Sequence, residues 1–112
     1  MIAVPFRSRE TLEAWLAEFR TTREGGNLIE VIVQAGDDGA DTGLVIVPLR
    51  NEKTEIYMQP TALDSDEWSI TLGPREGYYS VTPLQLSALV AELAVAASLC
   101  QFLHDKSLGH VE

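Results

Sequence analysis

The apolar residues of this chain change their period twice, and each change marks a change of backbone. Between Ser8 and Arg23, Leu12, Trp15, Leu16 and Phe19 recur at i, i+3, i+4 and i+7 among charged neighbours. That spacing lays a single apolar stripe along a helix that packs by one face. Ser8 is placed to cap the first turn and Glu10 to offset the helix dipole. Arg20 and Arg23 suit the last turn, and Gly25-Gly26 ends it.

From Asn27 the period becomes two. Leu28 to Ala35 is rich in β-branched residues, with Ile29, Val31, Val33 and Ala35 on one face and Glu30 and Gln34 on the other. Further strands are predicted from Leu44 to Leu49, Thr54 to Gln59, Trp68 to Leu72 and Tyr78 to Val81. In the third, Ile56 and Met58 share one face, and Glu55 and Tyr57 the other. Connections this short join antiparallel neighbours, because parallel strands need long crossovers. Pro48 is expected at an edge or a bulge, and Ile2 to Val4 is a candidate extra edge strand.

At Thr82 the helical period returns. Thr82-Pro83-Leu84-Gln85 is a capping box with Pro at the first helical position, and the helix is predicted to run to about His104. Leu86, Leu89, Val90, Leu93, Ala97 and Cys100 form one stripe; Leu84, Ala88, Ala91, Val95, Leu99 and Phe102 form another. Glu92 is the only charge from 84 to 103. A helix apolar on nearly every side must be covered on more than one side.

The expected architecture is therefore a single α+β domain over residues 1–112. It has an N-terminal helix, a four- to five-stranded antiparallel meander sheet and a long apolar C-terminal helix, with both helices on one sheet face. One sheet and one short helix leave part of the last helix uncovered. A two-fold homodimer is the simplest cover, with Val95, Leu99 and Phe102 expected at the self-contact.

Charge narrows the classes of partner. Seventeen acids against eight scattered bases leave a net charge of −9. Such a field repels phosphate backbones and anionic membranes, so neither nucleic acid nor membrane is expected as a direct partner. Residues 84–103 are long enough to cross a bilayer, but a carboxylate at the centre costs about 2.5–3.5 kcal/mol, which favours a buried helix. One cysteine, Cys100, excludes an internal disulfide, and the first residues lack the charged start and apolar stretch of a signal peptide. A reduced, cytoplasmic setting is expected.

Candidate chemistry is sparse. Gly36-Asp37-Asp38-Gly39-Ala40-Asp41 resembles one turn of the calcium-binding nonapeptide repeats of secreted β-rolls. Those repeats share each ion between neighbouring turns, and one copy stands here, so the segment reads as a solvated hairpin loop. Cys100 and His104, four apart, share a helix face, and His110 lies within reach along the tail. Three such groups fall short of a structural zinc set, so Cys100 reads as a core thiol and His104 as a helix-end residue. There is no nucleophile elbow, Walker loop or dinucleotide fingerprint, so neither a catalytic residue nor a cofactor is assigned.

The reading that follows is a small acidic, non-enzymatic protein-interaction domain, homodimeric and adaptor- or chaperone-like. An acidic inhibitor or immunity-type protein is the alternative, presenting Asp37, Asp38, Asp41, Asp64, Asp66 and Glu67 to a basic enzyme such as a nuclease or toxin. Tyr57 and Tyr79 are candidate aromatic anchors for a partner. A small-molecule-binding domain is the third possibility, and it requires a pocket lined by Trp15, Trp68 and a Tyr.

Overall fold

The computed structural model describes residues 7–23, 29–35, 41–50, 55–62, 65–73 and 80–110. Helix α1 (Arg9–Thr22) is followed by strands β1 (Ile32–Ala35), β2 (Asp41–Pro48), β3 (Glu55–Pro60) and β4 (Trp68–Leu72), then by helix α2 (Pro83–Ser107). The strands form one antiparallel sheet in the order β1-β2-β3-β4. This is the α+β meander expected from the alternation of period.

Register explains how one face became the core. Val33 pairs with Val45, Val45 with Met58, and Val47 with Ile56. All five are buried, as period two requires of residues on one side of adjacent strands. Ile70 and Leu72 lie on the same face, paired with Met58 and Ile56. Ile32, Ile46, Tyr57 and Thr71 form a row on the opposite face. Both helices cover the first face, α1 over β1 and β2, α2 over β4.

Helix α1 buries Leu12, Trp15, Leu16 and Phe19, the four residues of its stripe, and Ser8 caps it by accepting from Thr11 N at 3.1 Å. It ends at Arg23, before the Gly pair, which lies outside the described residues. The two helices run antiparallel: Trp15 meets His110, Phe19 meets Phe102 edge-on at 5.4 Å, and Glu18 pairs with Lys106. The capping box of α2 is present in full, with Gln85 N donating to Thr82 Oγ1 and Thr82 N to Gln85 Oε1.

The expected count of four to five strands narrows to four among the described residues, and the place of Pro48 is corrected. The described sheet has four strands: Ser80 and Val81 are not in a strand, and Tyr78 lies outside the described residues, as does Ile2–Val4. Pro48 ends a central strand, not an edge. It is tolerated because pairing with β1 stops at Ile46, so no ladder bond is lost on that side. The bulge falls in β1 instead, between Val33 and Ala35.

Candidate interaction surface

Helix α2 is 25 residues long, about 37 Å at helical rise, and the sheet covers only part of it. Its core side carries Leu89, Ala96, Leu99, Cys100, Phe102 and Leu103. Leu99 and Phe102 are 0% and 5% exposed, and Val95 packs half-buried against the same core. These three residues face the α1 side. Two of them, Leu99 and Phe102, are buried in the protein's own core.

The uncovered apolar surface lies on the other flank. Leu86, Val90 and Ala97 are exposed on one helical stripe, whose other members Leu93 and Cys100 pack against the core. Leu86 is 49% and Val90 56% exposed. Below that flank, the core-facing residues of β4 are also open, Ile70 at 36% and Leu72 at 64%. Glu67, Trp68, Ile70, Ala97, Cys100, Gln101 and His104 line an open cleft of about 500 Å³ between β4 and α2. Apolar side chains on both walls mark a surface that water wets at a cost.

Two buried polar contacts hold α2 in this position. Glu92, 2% exposed, accepts a hydrogen bond from Arg50 N at 2.8 Å, which ties the middle of α2 to the end of β2. At the other end, Ser107 Oγ accepts from Arg7 Nε at 2.9 Å and Trp68 Nε1 at 2.8 Å, and donates to Leu103 O at 2.7 Å. Arg7 also donates to Ser65 O and lies over the Trp68 ring. Burial pushes the Arg7 pKa down, and Asp66 nearby partly opposes this. Neither contact was read from sequence. Glu92 was visible there only as a lone charge in an apolar helix.

The cleft holds two of the three residues weighed as metal ligands. Cys100 and His104 both line it, but His110 stacks edge-on against Trp15 at 5.0 Å, on the α1 side. Among the described residues, no group of three or more His, Cys, Asp or Glu is placed to hold a metal ion. Burial pushes the Cys100 thiol up from its ordinary value. A raised thiol pKa contributes stability that is fully present below the unfolded value and lost as pH rises through the folded one. Alkylation of the native protein at pH 8 is therefore expected to be at least tenfold slower than in denaturant. Equal rates in the two states would show the thiol to be open.

The other anticipated site residues are not gathered. Asp37, Asp38, Asp64 and Tyr79 lie outside the described residues, and of Asp41 only the backbone, at the start of β2, is described. Glu67 is exposed and Asp66 half-buried near Arg7. Tyr57 lies on the outer sheet face, where its hydroxyl donates to Glu55 Oε1 at 3.1 Å, and that bond with the nearby charge raises its pKa. Trp15 is in the core and Trp68 in the β4–α2 cleft, so the two do not share a pocket.

By length and composition α2 could cross a membrane, with an 18-residue window of mean hydropathy 1.8, of which 39% is buried within the protein. Its buried side, including Glu92, is used by the protein's own core. No protein-family model, curated protein or solved structure matches this chain.

Proposed function

We propose that this is a non-enzymatic protein-interaction domain that self-associates through the exposed apolar flank of α2 and the adjoining face of β4. The observation that carries the reading is the joint exposure of Leu86, Val90, Ile70 and Leu72 along the β4 side of α2 and the adjoining face of β4. Their exposed fractions amount to about two whole side chains. At about 1.5–3 kcal/mol per fully buried side chain, covering them releases roughly 3–6 kcal/mol per copy. A two-fold contact doubles this, to a value comparable with an association cost of about 4–15 kcal/mol. A cytoplasmic, adaptor-like role fits a free thiol and an acidic surface away from the patch.

Light scattering at micromolar concentration is expected to give the mass of a dimer. Leu86→Lys with Val90→Lys is expected to give a monomer that keeps its circular dichroism, because neither side chain is part of the core. A wild-type chain that is monomeric under these conditions would refute self-association.

A further inference from the structure

We draw no further inference here: the strongest candidate, the open cleft between β4 and α2 lined by Trp68, Ile70, Cys100 and His104, belongs to the surface already described, and nothing among the described residues shows what covers it.

Discussion

Ser107→Ala is expected to lower stability by roughly 2–4 kcal/mol, although it removes a single oxygen. The hydroxyl uses its full capacity, accepting from Arg7 and Trp68 and donating to Leu103 O. Losing it strands two N–H donors beside a residue that is 0% exposed. Leaving a buried donor unpaired costs about 1–3 kcal/mol, and a charged one costs more. Arg7 keeps its bond to Ser65 O, which limits the loss on that side. For a domain of this length the change corresponds to a melting point lower by roughly 8–16 °C. Arg7→Met with Ser107→Ala is expected to be less destabilising than the sum of the two single changes, because each removes the same contact. Additive effects in chemical denaturation would show that the Arg7–Ser107 bond contributes nothing.

Glu92→Ala is expected to cost roughly 2–4 kcal/mol through a different route. The carboxylate is 2% exposed in the middle of α2 and accepts from Arg50 N, across 42 positions of sequence. Hydrogen bonds to charged groups contribute about 1.5–3 kcal/mol, and truncation adds a cavity. Glu92→Gln keeps the shape and an acceptor oxygen, so its expected loss is about half as large. Thermal denaturation of the two variants separates the contributions. Equal destabilisation by Ala and Gln would mean that the charge matters and the acceptor geometry does not.

The elements themselves were legible in the sequence because their signals are local. The stripe of Leu12, Trp15, Leu16 and Phe19 marked α1 and all four are buried; the Thr82 capping box marked the start of α2 to the residue. Alternation at Ile56 and Met58 named the core face of β3. The burial of α2 was not legible. Its apolar residues occur on all sides, so periodicity gave no preferred face, and Val95, Leu99 and Phe102 were as good a candidate surface as Leu86 and Val90.

Pattern and propensity alone determined that this acidic chain is helix, antiparallel meander, helix, with one apolar face on α1 and on the sheet. Local hydrogen bonding and side-chain period act within a few residues, and the order of letters records them. Only the tertiary structure decided which side of α2 meets α1, which side stays open above β4, and what the buried Glu92 and Ser107 hold. Those outcomes depend on where α1 lies and on contacts such as Arg7–Ser107, 100 positions apart. No local period encodes such a distance. The open flank of α2 is thus a product of packing: the described sheet ends at β4, and the helix above it keeps Leu86 and Val90 exposed.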